Sequence, residues 1–121
     1  MPIIEILLPD NLRIKKNSKR IYAKGKFKRV LPSEAYVEWE RQARVDFINN
    51  HFAFPPITTP CSVCAMIYYK GQRPDLSGAM ESVGDCLQGL AWEDDKLIES
   101  WDGSRLVKDN GNPRTEIVVE W

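Results

Sequence analysis

A helical pattern flanked by two apolar segments constrains the fold of this chain more than any other feature. Between residues 73 and 99, apolar side chains recur at three- and four-residue steps, as in a helix with one buried stripe. The stripe consists of Leu76, Ala79, Met80, Val83, Leu87 and Leu90. Residues 58–69, ahead of it, are rich in β-branched and aromatic residues and predict the strongest strand. Residues 97–101 predict another strand, so we expect the chain to fold around a strand–helix–strand unit.

Carboxylates lie at both ends of this helix and along its polar side. They are Asp75, Glu81, Asp85, Asp94 and Asp95. Asp75 precedes the first apolar residue, where a helix start favours an oxygen acceptor, and Gly89 predicts the helix end. A helix of about sixteen residues is about 24 Å long. Asp75 and Asp95 can therefore meet only if the chain after Trp92 runs back along the helix, or if the helix is shorter than the pattern indicates.

The remaining segments predict a compact α+β domain spanning residues 1–121, with a mixed β-sheet and two main helices. Apolar runs predict strands at 3–8 and 115–121, and residues 21–23 and 27–31 predict a short hairpin. The first helix begins after Ser33, a favourable cap, and ends at residues 49–50. Its expected apolar face is formed by Tyr36, Val37, Trp39, Ala43, Phe47 and Ile48.

Charge is distributed unevenly along the chain. The formal net charge is zero, but residues 1–35 contain nine Lys or Arg against three acidic residues, so this part carries +6 and the rest −6. Such asymmetry fits a basic surface for phosphates with an acidic site elsewhere. A solvated basic loop without a binding role explains the charge equally well.

Several familiar chemistries find no support in the sequence. His51 is the only histidine, and no G-x-S-x-G motif supplies a serine nucleophile for it. No glycine-rich phosphate loop is present, so we expect no nucleotide cofactor. Cys61 and Cys64 have zinc-knuckle spacing, which His51 and Cys86 would complete. However, residues three apart in a predicted strand face opposite ways, so we favour buried thiols and keep a zinc-stabilised domain as an alternative.

No targeting or membrane segment is evident. No apolar run approaches the roughly 20 residues of a membrane-spanning helix, and the N-terminus lacks the pattern of a secretion signal. An odd number of cysteines, three, fits reduced thiols. We therefore expect a cytoplasmic protein without membrane contact.

The carboxylates are the remaining candidates for chemistry. Hard divalent cations choose oxygen ligands, and Mg²⁺ typically takes one or two carboxylates together with water and substrate phosphate. Each carboxylate also has a purely structural explanation, as a helix cap, a solvated helix face or a turn. The residues by themselves leave both interpretations open.

One run resembles a known family. The pattern R-P-D-L-S-G-x-x-E-x-x-x-D-x-L, followed by a tryptophan-containing turn and E-D-D-K-L-I, resembles the RusA family of Holliday-junction resolvases. The family pattern is D-L-D-N or D-L-S-N, a further Asp ten residues on, then D-D ahead of a strand. Asp75, Asp85, Asp94 and Asp95 match it. A weaker likeness covers the start of the chain, with a short strand, a basic stretch that holds Asn17, and the first helix.

The resemblance implies a RusA-like fold and a small, homodimeric, structure-selective endodeoxyribonuclease from a bacterium or a phage-infected cell. Such an enzyme resolves four-way or branched DNA junctions when water activated by Mg²⁺, for which Mn²⁺ can substitute, attacks a phosphodiester bond. The implied catalytic residues are Asp75, Asp95, Asp94 and Asp85, and the implied metal ligands are Asp75, Asp95, Asp94 and Glu81. The implied DNA-binding residues are Lys15, Lys16, Asn17, Lys19, Arg20, Lys24, Lys26, Lys28 and Arg73.

Three positions depart from the family pattern. Ser77 stands where some members have a second aspartate, and it offers only a neutral oxygen or a water-mediated contact. Glu81 stands where some members have a lysine, and it restores one negative charge that can take over the ligand role. Gly78 replaces the expected asparagine. These changes leave open a second hypothesis, a catalytically degenerate protein of the same fold that binds branched DNA without cutting it.

Overall fold

The computed structural model describes residues 1–15, 19–24 and 27–121, and the side chains of residues 16–32 lie outside that description. Its strands are β1 (Ile3–Pro9), β2 (Lys19–Lys24), β3 (Phe27–Pro32), β4 (Cys61–Tyr69), β5 (Ile98–Ser100), β6 (Arg105–Lys108) and β7 (Arg114–Glu120). Its helices are α1 (Glu34–Asn50) and α2 (Leu76–Cys86), and a short 3-10 turn, Asp95–Leu97, precedes β5. Within the described part of the chain, no helix has the length and apolar character needed to cross a lipid bilayer.

The main sheet is mixed. Its strand order is β1–β7–β4–β5, antiparallel on both sides of β7 and parallel between β4 and β5. Strand β6 pairs in parallel with the second half of β4, so β5 and β6 together occupy one edge. Between them, the Ser104 hydroxyl accepts a hydrogen bond from the Ala65 amide at 2.9 Å. Strands β2 and β3 form a separate antiparallel hairpin. The predicted α+β fold, mixed sheet and hairpin are confirmed.

One face of the sheet is covered by the helices. Buried and accessible residues alternate along the three long strands, as the two-residue period of a strand requires. The antiparallel register aligns the buried residues into rows across β1, β7 and β4. The rows are Ile4–Val119–Val63, Ile6–Ile117–Ala65 and Leu8–Thr115–Ile67. Helix α2, which follows β4 and precedes β5, buries Ala79 and Val83 in the same core.

Helix α1 begins and ends close to the prediction. The Ser33 hydroxyl accepts a hydrogen bond from the Tyr36 amide at 3.1 Å and caps the helix. The buried residues are Tyr36, Trp39, Ala43 and Phe47. Val37 and Ile48 are 47% and 46% exposed, so their predicted place on the apolar face is wrong. Because each residue turns the helix by about 100°, these two lie on the flanks of the narrow stripe that packs inward.

Helix α2 begins at its predicted cap but ends early. The predicted length of about sixteen residues is wrong, since the helix has 11. Trp92 Nε1 donates to the Gly84 carbonyl at 3.0 Å, and Arg44 of α1 donates to the Cys86 carbonyl at 2.8 Å. In a longer helix those carbonyls would accept from amides four residues on. Side chains from elsewhere satisfy them instead, and the helix ends.

Strand β4 begins at Cys61, later than the predicted residue 58. The backbone of Ile57 is occupied elsewhere, because its amide donates to Ala91 O and its carbonyl accepts from the Glu93 amide, both at 2.9 Å. Pro60 has no amide hydrogen for a sheet bond. Both facts delay the start of the strand.

Candidate active site

The acidic side of α2 faces a small cavity between the helix and the segment that leads into β5. The cavity has a volume of about 270 Å³. Ser77, Glu81 and Gly84 line it from one helical face, at i, i+4 and i+7. Asp95 lines it from the 3-10 turn. The remaining lining residues are Met80, Ile98 and Trp101.

The return of the chain after α2 brings Asp95 to this cavity. Gly89 has a φ of 84°, a left-handed conformation that glycine adopts without strain and that lets the chain turn. The Asp95 amide then donates to Gln88 Oε1 at 3.0 Å. A Cβ on Gly84 would lie 3.6 Å from Asp95 Cβ, so the side chain packs directly on the helix. The chain does return along the helix, which is one of the two arrangements that the sequence left open, and Asp95 lies against the C-terminal half of α2.

Asp75 lies at the other end of α2. Its carboxylate accepts hydrogen bonds from the Ser77 hydroxyl at 2.9 Å and from the Gly78 amide at 3.3 Å, which confirms its predicted role as helix cap. The Asp75 carboxylate therefore lies within hydrogen-bonding distance of Ser77, which lines the same cavity as Asp95.

Asp85 lies beside the cavity on the polar side of α2. Packing around its carboxyl raises the pKa above the ordinary value, whereas Lys15 lowers it. The carboxylates of Asp95, Glu40 and Glu81 raise that pKa further. Asp85 is thus within electrostatic reach of both cavity carboxylates, and negative charge accumulates around the C-terminal half of α2.

Glu40 is a member of this acidic group that the sequence did not identify. The Tyr36 hydroxyl donates to Glu40 Oε2 at 2.6 Å. Burial and then this bond raise the pKa of Tyr36 far above its ordinary value. Glu40 lies four residues after the buried Tyr36 and therefore on nearly the same side of the helix. The four-residue spacing from Tyr36 is the feature of the sequence that could have identified Glu40 as part of the acidic group.

Asp94 does not line the cavity. Its side chain accepts a hydrogen bond from the Lys96 amide at 2.9 Å and caps the 3-10 turn. Its direct effect is therefore on the turn that carries Asp95.

The predicted DNA-binding residues are described only in part. Lys15 Nζ lies 5.9 Å from the centre of the Tyr36 ring, and its backbone amide donates to Ser82 Oγ at 3.3 Å. Arg73 is exposed, two residues before Asp75. Lys16, Asn17 and Lys26 lie outside the described residues, as do the side chains of Lys19, Arg20, Lys24 and Lys28.

The four candidate zinc ligands are not brought together. Cys61 is buried in β4, and Cys64 is on the opposite, partly exposed face. Cys86 is buried in α2, where burial raises its thiol pKa to about 12. The His51 ring packs on Phe47 with centroids 4.9 Å apart. All three cysteines are free, so the described residues give the zinc alternative no support.

The donor set of the cavity suits a hard cation. Glu81 and Asp95 supply carboxylate oxygens and Ser77 a hydroxyl. Among the residues that the structure describes, no three His, Cys, Asp or Glu side chains are placed to hold a metal by themselves. Mg²⁺ needs only one or two protein carboxylates when water and phosphate oxygens complete its shell. The donor types in the cavity are therefore compatible with such an ion.

One protein family matches this sequence over nearly its whole length. The family model, described as endodeoxyribonuclease RusA, covers residues 12–120. This range contains α2 and all the acidic residues of the site. No curated protein matches the chain.

Proposed function

Since the chain belongs to the RusA family of endodeoxyribonucleases, we propose that it is a magnesium-dependent enzyme that cuts four-way and other branched DNA junctions. The cavity beside α2 is its proposed active site. Mn²⁺ is proposed to replace Mg²⁺ there, because both are hard cations that accept carboxylate and water oxygens.

One observation carries this proposal. Glu81 and Asp95 come from different elements and line the same small cavity, and Asp75 is joined to that cavity through the Ser77 hydroxyl. Carboxylates that repel one another are costly to hold together, and the fold nevertheless collects Asp85 and Glu40 nearby. A divalent cation beside a phosphate would offset this repulsion.

Each residue of the site has a proposed role. Glu81 and Asp95 would hold the cation, which would supply a bound water of lowered pKa and neutralise charge on the departing oxygen. Ser77 donates its only hydroxyl hydrogen to Asp75, so its lone pairs remain available to the cation or its water. Asp75 is thus a positioning residue for Ser77, and Asp94 holds the turn that carries Asp95. Asp85 adds negative charge beside the ligands.

We propose that two copies of the chain act together as a homodimer. A four-way junction presents two equivalent strands, and each chain contributes its own cavity. Paired cuts related by two-fold symmetry would then release two nicked duplexes.

Cleavage of a synthetic four-way junction in Mg²⁺ tests the active-site assignment. We expect Asp95→Asn and Glu81→Gln to slow cleavage by more than about 100-fold, since loss of even an outer partner of a metal ligand costs roughly 10- to 100-fold. Asp75→Asn is expected to slow it in the same direction. Junction binding in EDTA should be retained in all three variants, because no phosphate contact is removed.

Glu120→Gln is the matched control, since Glu120 is exposed on the sheet face away from the helices. Titration of free Mn²⁺ by electron paramagnetic resonance gives a second readout, in which Asp95→Asn should bind the ion more weakly than Glu120→Gln. Cleavage at the wild-type rate in Asp95→Asn and Glu81→Gln would overturn the assignment. Binding without cleavage by the wild-type chain, in Mg²⁺ and in Mn²⁺, would establish the degenerate DNA-binding relative instead.

A further inference from the structure

A basic cleft lies at the N-terminal end of α2, between residues 11–14 and the loop that joins β4 to α2. Its volume is about 420 Å³. Three exposed cations, Arg13, Lys70 and Arg73, line it. It has no acidic lining residue among those described, and none of the three cations forms an ion pair with a described residue. Positive charge therefore lines the basic cleft itself, and the carboxylates of Asp10, Glu38 and Asp46 lie in the adjoining cavity that Arg13 and Lys70 also line.

The two walls of the basic cleft are joined to each other through side chain and backbone. Asn11 Oδ1 accepts from the Lys70 amide at 3.0 Å, and Asn11 Nδ2 donates to the Lys70 carbonyl at 3.4 Å. The Gly71 amide next to it donates to Asn110 Oδ1 at 3.1 Å. These bonds fix the backbone near Arg13 and Lys70, two residues that are far apart in the sequence.

The wall formed by residues 11–15 is also fixed to α2. Leu12 and Ile14 are each 6% exposed, and they alternate with the exposed Arg13 and Lys15. A Cβ on Gly78 would lie 2.9 Å from Ile14 Cγ2, so the segment touches the first turn of the helix. Alternation in an extended segment directs Arg13 outward while its neighbours anchor the backbone.

We propose that the basic cleft binds backbone phosphates of the DNA strand that passes into the active-site cavity. This inference rests on the proposed function and adds Arg13 and Lys70 to the DNA-binding surface. Arg73 is two residues from Asp75, which orients Ser77 in the cavity, so one strand running along α2 meets both places. The carboxylates of the cavity repel phosphate, and three cations beside them offset that repulsion.

The chemistry of the basic cleft indicates how it binds. Arginine donates two parallel hydrogen bonds to phosphate oxygens, and lysine acts as a mobile point charge. Such contacts fix the position and path of a strand but carry no sequence information. The basic cleft should therefore contribute affinity equally for junctions of different sequence.

Salt-dependent binding of a four-way junction tests this inference. The combined variant Arg13→Gln, Lys70→Gln, Arg73→Gln is compared with wild type over a range of NaCl concentrations, in EDTA so that no strand is cut. The plot of log K against log salt has a negative slope, and each lost phosphate contact reduces the magnitude of that slope by about 1. We expect the combined variant to lose about 2–3 from the slope, and each single variant about 1.

Arg105→Gln is the matched control, because Arg105 is an exposed cation on β6 that lines neither cavity. Far-ultraviolet circular dichroism checks that each variant is folded. A combined variant with the slope of Arg105→Gln would overturn the inference, and if the wild-type chain still cut the junction the proposed function would stand. If the combined variant shows the reduced slope but the wild-type chain binds the junction without cutting it, the basic cleft would be supported and the proposed nuclease rejected.

Discussion

At the scale of single residues, Asp85 shows the cost of assembling the acidic site. Packing around its carboxyl raises its pKa, and three neighbouring carboxylates add to the effect. A folded-state pKa above the unfolded value means that the folded protein binds this proton more tightly. Protonated Asp85 therefore stabilises the folded state fully below the unfolded pKa of about 4. This stabilisation is lost as the pH rises through the folded pKa. Ionised Asp85 therefore opposes folding at neutral pH.

Asp85→Asn should remove this cost. We expect the variant to be more stable than wild type at pH 7, with the difference shrinking towards pH 3, where Asp85 is protonated in both states. Urea unfolding between pH 3 and pH 7 in EDTA measures the difference. A stability difference that did not change with pH would contradict the assignment of the pKa shift to Asp85.

Asp109 supplies a control of opposite sign. The Asn112 amide and then the Arg114 guanidinium hold the pKa of its carboxyl below the ordinary value. Its contribution to stability is present above the unfolded pKa and is lost as the pH falls through the folded pKa. Asp109→Asn should therefore be less stable than wild type at pH 7, and the deficit should disappear in acid.

At the scale of elements, α2 is held from both sides by neighbours that also define the site. Residues 11–15 pack on its first turn, Arg44 of α1 caps its end, and Trp92 holds the Gly84 carbonyl. Two glycines in the helix face these neighbours in different ways. Gly78 leaves space for Ile14, whereas Gly84 forms part of the cavity wall beside Asp95.

The two glycines should respond oppositely to alanine. At Gly84 the nearest atom to an added Cβ is 3.6 Å away, an ordinary contact, so the higher helix propensity of alanine should stabilise the protein by about 0.5–1 kcal/mol. At Gly78 the added Cβ would lie 2.9 Å from the β-branched Ile14, and overpacking should cost about 1 kcal/mol. Urea unfolding measures both changes.

Junction cleavage by Gly84→Ala distinguishes an effect on stability from an effect on the proposed active site. Gly84→Ala adds a methyl group to the wall of the proposed active site, so the more stable variant should cleave the junction more slowly. A variant that is stabilised and fully active would show that the cavity is not where the phosphate is cut.

At the scale of the whole molecule, the fold places the two proposed functional surfaces along one helix. The basic cleft lies at the N-terminal end of α2, and the carboxylates lie along the remainder. The helices and the core cover one face of the sheet, whereas Ile3, Leu7 and Val118 on the other face are exposed. The charge asymmetry of the sequence does not map directly onto these surfaces, because Lys70 and Arg73 belong to the net-acidic part of the chain and, of the cations of the basic cleft, only Arg13 comes from residues 1–35.

The proposed homodimer gives the prediction at this scale. Size-exclusion chromatography with light scattering should give twice the mass of the chain at the concentrations at which it cuts junctions, because paired cleavage needs two cavities. A mass equal to one chain under conditions where both strands are cut would reject the dimer and leave the active site unaffected.

Local contacts were predictable from the sequence. Asp75 caps α2 through a bond to a residue three positions on, and Ser33 does the same for α1. Gly89, which the sequence predicts to end α2, lies three residues after the last residue of the helix, Cys86. The long strands followed from apolar runs and from their β-branched and aromatic residues. In each case the interacting groups are neighbours along the chain, so the spacing of residue types contains the information.

Contacts between distant segments had to come from the tertiary structure. Arg44 ends α2 across 42 positions, and Asn11 holds Lys70 across 59, so neither the true length of the helix nor the basic cleft follows from local periodicity. The sequence by itself determined which segments are helices and strands and that carboxylates gather around one helix. Only the packed fold decided that Asp95 and Glu81 line the same cavity, because that placement depends on where the chain turns and on which side chains satisfy the carbonyls at the end of the helix.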